Sequence, residues 1–328
     1  MSAEHDGNDG ISPAANSASE TSLSGPRHRL LAPDPNPDPE GNSSAESNRP
    51  LIICFHGSGE SCSPAWDSLA DTLTSAPYGL RVLLYERGPL NPKPPQATAD
   101  LCAYLKSEGL LGPCVLVGHS YGGAFARTFL EEADAAAAAA AVVGSECVRV
   151  AGLVLVETGQ EGGLDAAIEQ KQYERRVLGF RPLSVIRGNS LLRMWQELKA
   201  AEAAVKEDDE RKKDEFRRRR EMLRTWDEAD EQMKKKQLEL AAEMGRKRYV
   251  HIPDCGHDVV RDRPEVVAAE VGWVLENMDQ ATCDEEKEQE NQKPQVCEKE
   301  EKGRRIYARR FWRAWRETVG RLLGRLRK

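Results

Sequence analysis

Short apolar runs recur through the middle of the chain, at Leu51–His56, Leu80–Tyr85, Cys114–Gly118, Val150–Glu157, Leu183–Arg187 and Arg248–Ile252. None exceeds eight residues, and most are rich in Val, Ile and Leu with little in–out alternation. That is the pattern of strands in a parallel sheet covered on both faces. Between the runs, Ala65–Thr74, Thr98–Glu108, Tyr121–Glu132 and Pro264–Asn277 read as helices. Strand–helix alternation of this kind predicts a doubly wound, mostly parallel α/β sheet.

The flanks differ from this body. Residues 1–49 are rich in Ser, Asn, Pro, Gly and Ala and carry no apolar period, so they are expected to be disordered. Residues 280–303 read as a solvated charged linker, which leaves residues 50–279 as one domain. Within it, Leu191–Met244 is dominated by Glu, Lys, Arg, Ala and Leu. It predicts one or two long helices with solvated charged faces, inserted between the fifth and sixth runs.

Composition agrees with an uneven chain. Of 328 residues, 39 % are hydrophobic and 31 % charged, with a mean hydropathy of −0.62. This is too polar for a chain packed from end to end. The longest apolar run, Ala135–Val143, is mostly alanine and far short of a membrane span. The first thirty residues lack the basic start and apolar stretch of a secretory leader, so a cytoplasmic location is expected. The eight cysteines form no CxxC pair and read as reduced thiols, several on buried strands. No His or Cys pair stands at ligand spacing near the motifs below, so neither a metal nor a cofactor is implied.

The strongest chemical signal is Gly118-His119-Ser120-Tyr121-Gly122, a Gly-x-Ser-x-Gly pattern after an apolar run and before a helical one. A serine on a sharp strand-to-helix turn needs small residues on either side, and it exposes its hydroxyl at a helix N-terminus that favours developing negative charge. Phe55-His56-Gly57-Ser58-Gly59 follows the first run. The backbone N–H groups of Ser58 and Tyr121 are therefore candidates for an oxyanion hole. His257, in a loop after the last run, is the candidate general base. His5 and His28 lie in the tail, His251 lies in a strand, and His56 reads as structural.

Taken together, HGSG, the turn Tyr85–Gly88, GHSYGG and PDCGHDVVRDRPE resemble the α/β-hydrolase fold superfamily, in its lipase/esterase-like branch, over residues 50–279. The resemblance implies a sheet of about six to eight strands. It also implies hydrolysis of a carboxylic ester or related acyl bond through an acyl-enzyme, with the order Ser, acid, His. The usual acid loop follows the penultimate strand, but here it reads Gly188-Asn189-Ser190 and holds no carboxylate. A position used by some members, the end of the preceding strand, offers Glu157, ahead of Asp165 or of an incomplete triad. Residues 161–245 include a lid-like stretch expected to overhang the serine.

Charge is distributed unevenly. Residues 301–328 hold eleven Lys/Arg against two Glu, a local balance of +9, so residues 1–300 carry −16 out of a total of −7. Tyr307, Phe311, Trp315, Val319, Leu322 and Leu326 recur every three or four residues with arginines opposite, which predicts a basic amphipathic helix over 304–328. Such a helix fits an anionic membrane surface, an acidic partner or the acidic body itself, while nucleic acid is disfavoured. The partner expected at the body is a small-molecule acyl substrate. Two other functions stay open: cleavage of a C–C or thioester bond by the same residues, and a catalytically impaired hydrolase-fold interaction module.

Overall fold

The apolar runs become strands of a seven-stranded sheet in a computed structural model of the protein, which describes residues 28–32, 50–87, 93–144, 147–159, 164–204, 209–242 and 245–290. The strands are β1 (Arg29–Leu31), β2 (Leu51–Phe55), β3 (Arg81–Tyr85), β4 (Pro113–His119), β5 (Arg149–Val156), β6 (Leu183–Arg187) and β7 (Lys247–His251). Their spatial order is β1-β3-β2-β4-β5-β6-β7. Strands β2 to β7 are parallel, and β1 alone runs antiparallel, against β3.

Strand β1 corrects one expectation, because it lies inside the 1–49 segment read as disordered. Three residues carry too little periodicity to register as a strand, and only the free edge of β3 gives them a partner. The rest of 1–49 lies outside the described residues apart from His28 and Ala32.

Every residue of β2 and of β6 is buried, which explains why these runs lack alternation. Leu51, Ile53 and Phe55 face one layer with Leu116, Phe125 and Phe129. Ile52 and Cys54 face the other with Val117, Trp66, Leu69, Val271 and Val274. Helices α2 (Pro94–Ser107) and α3 (Gly122–Val143) cover the first face, and α1 (Asp67–Thr74) and α8 (Pro264–Glu290) cover the second. Each large aliphatic side chain buried in this way contributes roughly 1.5–3 kcal/mol.

Two helices outrun their expected ends. Helix α3 continues past Glu132 through the alanine run, since alanine is the strongest helix former, and stops where Gly144 turns left-handed at φ 69°. Helix α8 continues to Glu290, into the stretch expected as linker. The basic segment 304–328 lies outside the described residues. Between β5 and β6 stands α4 (Ala166–Arg175). Between β6 and β7 the charged insertion forms α5 (Leu192–Ala203), α6 (Glu210–Lys236) and a 3₁₀ turn (Gln237–Leu240), followed after β7 by the short α7 (Val259–Asp262). Cys54, Cys62, Cys114 and Cys255 are buried free thiols.

Candidate active site

Ser120 directly follows β4 and precedes α3 with φ 54°, a left-handed backbone that a non-glycine residue adopts only at a cost. Its N–H donates to the Val156 carbonyl at 3.0 Å, which ties the turn to the neighbouring strand end. The flanking glycines are required by close approach. A Cβ on Gly122 would sit 2.0 Å from the Phe55 carbonyl oxygen, and one on Gly118 would sit 2.9 Å from Gly123 Cα. The pattern is thus a steric consequence of packing a helix start against the ends of β2 and β4.

Glu157, the residue after β5, is the second strained position at φ 51° and is wholly buried. Its carboxylate is surrounded by donors. Oε1 accepts the Gly188 N–H at 2.7 Å, and Oε2 accepts the Ser190 hydroxyl at 2.6 Å. His257 Nδ1 donates to Oε2 at 3.2 Å. Burial opposes the charge, but the hydrogen bond from His257, the Lys234 ammonium and the Ser190 hydroxyl outweigh it and hold the carboxyl at about 2. The loop Gly188-Asn189-Ser190 therefore supplies donors to a carboxylate instead of a carboxylate of its own.

His257 sits in the loop between β7 and α7, about one-third exposed, with Nδ1 committed to Glu157. Its backbone carbonyl accepts from His119 Nε2 at 3.0 Å, and the two imidazole rings lie 4.9 Å apart. His119 is the chain neighbour of Ser120. Ser120, Glu157 and His257 accordingly gather at the carboxyl ends of β4 and β5. Asp165, the other candidate acid, is occupied elsewhere as the N-cap of α4, where it accepts from the Ala167 and Ile168 N–H groups.

The loop after β2 completes the rim. Ser58 lies exposed in its turn, and Tyr121 occupies the N-cap of α3, whose positive end faces the serine. Arg87 is buried at the end of β3 and donates to the carbonyls of His56 and Gly57, at 2.5 and 2.6 Å. Its guanidinium also lies 4.1 Å from the Phe125 ring centroid. Gly57 N–H is already engaged by Glu60 Oε2 at 3.3 Å, whereas Ser58 is the next amide in line. Burial, then the Arg87 charge, drive the His56 imidazole down to about 4, so it stays neutral and structural.

Sequence reasoning did not single out Arg87, Glu60, Ser190 or Lys234. Lys234 and Asp230 fall in the Leu191–Met244 segment, whose composition predicts solvated charged faces. A signal was present in the stripe Leu223, Asp230, Lys234 and Gln237, whose successive intervals are seven, four and three residues, but charges on every side of α6 concealed it. No group of His, Cys, Asp and Glu side chains able to hold a metal occurs among the described residues.

A model of the family described as Alpha/beta hydrolase family matches residues 52–270. No curated protein sequence matches the chain. Among solved structures, similarity extends to a putative hydrolase from Agrobacterium vitis S4, at 13% identity and TM-score 0.44, covering 75% of this chain and 92% of that one. It extends also to a thermophilic esterase from Thermogutta terrifontis, at 16% identity and TM-score 0.41, covering 79% and 97%. MenH from S. aureus matches at 14% identity and TM-score 0.41, covering 77% and 98%.

Proposed function

The chain belongs to the alpha/beta hydrolase family, and on that premise we propose that it is a serine hydrolase acting on a carboxylic ester or a related acyl bond. The observation that carries this reading is the wholly buried Glu157 carboxylate accepting from His257 Nδ1, one strand away from Ser120. A base so held presents Nε2 outward, in the tautomer and orientation that a serine hydroxyl requires.

In this proposal the Ser120 hydroxyl attacks the acyl carbonyl while His257 Nε2 takes its proton. The oxyanion that forms accepts from the Ser58 and Tyr121 N–H groups. As the tetrahedral species collapses, the imidazolium returns the proton to the leaving alcohol, and the acyl group stays on Ser120. A water then repeats the cycle, losing its proton to His257 and releasing the acid. Glu157 stays ionised throughout and stabilises the imidazolium.

The loop after the penultimate strand holds no carboxylate, but Glu157 beside His257 supplies one, which supports the catalytic reading over an impaired interaction module. The same residues suit a thioester or C–C bond, so the bond class is decided by turnover. A fluorophosphonate probe is expected to label the wild-type protein and not Ser120→Ala. A panel of p-nitrophenyl esters of graded chain length then ranks the acyl group. Folded wild-type protein that neither labels nor turns over any ester would overturn the reading.

A further inference from the structure

Helix α6 places a lysine that touches no solvent against the carboxylate holding His257. Lys234 is completely buried, with Nζ 2.9 Å from the Thr158 carbonyl, 3.8 Å from Glu157 Oε1 and 3.5 Å from Asp230 Oδ1. A buried ammonium persists only where anions and acceptors replace its water, and these three contacts supply them. One turn further on, Gln237 closes the clasp. Its Nε2 donates to the Thr158 carbonyl at 2.8 Å, and its Oε1 accepts the Thr158 hydroxyl at 2.8 Å. The strained residue Glu157 is thereby gripped from its carboxyl-terminal side by the insertion.

The charge chain runs onward. Arg187 Nε donates to Asp230 Oδ2 at 2.7 Å, and the same guanidinium pairs with Asp227 and lies 3.5 Å from His251 Nε2. Around His257 stand His119 from β4 and Glu60 from the loop after β2, which feels the charges of both His119 and His257, while Cys255, in the same loop as His257, feels the charge of Glu157. Lys234 is the cation that faces Glu157 from the side opposite His257.

We propose that Lys234 is a positioning residue for the pair Glu157–His257: it braces that carboxylate on the side opposite His257, and its charge lowers the pH at which His257 becomes available as a base. The catalytic meaning rests on the triad reading above. The physics is a balance at short range in a poorly screened interior. The Lys234 charge offsets part of the pull that Glu157 exerts on an imidazolium, and Asp230 in turn offsets part of Lys234. Removing one or the other should therefore move the proton on His257 in opposite directions, which packing alone cannot do.

Lys234→Gln keeps a donor for the Thr158 carbonyl and deletes the charge. Gly188 N–H, Ser190 and His257 still hold Glu157 ionised near neutral pH. The acid limb of the fluorophosphonate labelling rate is then expected to move to higher pH by about half a unit or more, with the alkaline plateau retained. Asp230→Asn leaves Lys234 less compensated and should move the limb to lower pH. An unmoved limb in folded Lys234→Gln, or shifts of the same sign in both variants, would overturn the proposal. If Lys234→Gln fails to fold, the sign of the Asp230→Asn shift decides. If no protein labels, wild type included, the triad reading falls. Titration of the His257 imidazole by NMR in the same variants then still tests Lys234, with the same opposed shifts expected.

Discussion

Ser120 and Glu157 are two of the three non-glycine residues at positive φ among those described, and they lie on adjacent strand ends. Strain of roughly 1–3 kcal/mol at each is tolerable only where the surroundings dictate the conformation. Here the Val156 carbonyl holds Ser120, and donors from three elements hold Glu157. Charge at this scale also predicts how stability responds to acid. His56 titrates near 4 in the folded protein against 6.5 unfolded, because burial disfavours the imidazolium. The unfolded chain therefore binds the extra proton first as pH falls below 6.5. Between pH 7 and 5, this one group should remove about 2 kcal/mol of stability. Glu157 acts lower: its depressed value contributes stability above 4.5 that is lost as pH falls toward 2. Chemical denaturation of wild type and His56→Gln at pH 7 and pH 5 checks the first window. The variant should lose less stability on acidification, and an equal loss would refute the assignment.

At the scale of elements, the join of β4 to α3 bears the tightest packing. The helix start presses on the end of β2 so closely that a methyl group on Gly122 would overlap the Phe55 carbonyl. Gly122→Ala is expected to destabilise the fold by about 3 kcal/mol or more, or to displace α3 and abolish probe labelling. Thermal melts with parallel labelling measure both effects, and a variant with wild-type melting and labelling would contradict this account. The element-scale reading from sequence succeeded where burial was two-sided, as in β2 and β6, because continuous apolar runs leave little ambiguity. It failed at β1, whose three residues become a strand only by pairing with β3. It also ended α3 too early, treating the alanine run as an apolar stretch instead of a helix extension.

For the whole molecule, the charged insertion between β6 and β7 forms the helices expected of it but makes inward contacts that its composition does not predict. Most of α6 is solvated, as its composition predicts, yet Leu223 is buried and Asp230 and Lys234 turn inward to the ends of β5 and β6. The helix thus joins the edge of the sheet to the candidate site. The basic segment 304–328 raises a separate proposal, contact with an anionic lipid surface. The full chain should bind phosphatidylserine-containing vesicles in low salt and release them as salt rises, while a chain ending at residue 303 should not bind and should keep the full chain's level of fluorophosphonate labelling. Equal binding by the shortened chain would remove the tail from that role.

The sequence by itself determined the layered fold, the Ser120 turn and the His257 loop, because each depends on local sterics or on runs of apolar residues contiguous in the chain. Only the tertiary structure shows which carboxylate meets His257. The strand-end position favoured Glu157 over Asp165, and packing separates them: one is buried beside His257, and the other caps α4. The same holds for Lys234, one of many charges on its helix until packing withdraws it from water. Burial and long-range pairing fix a charged group's chemistry, and neither is encoded in its immediate neighbours.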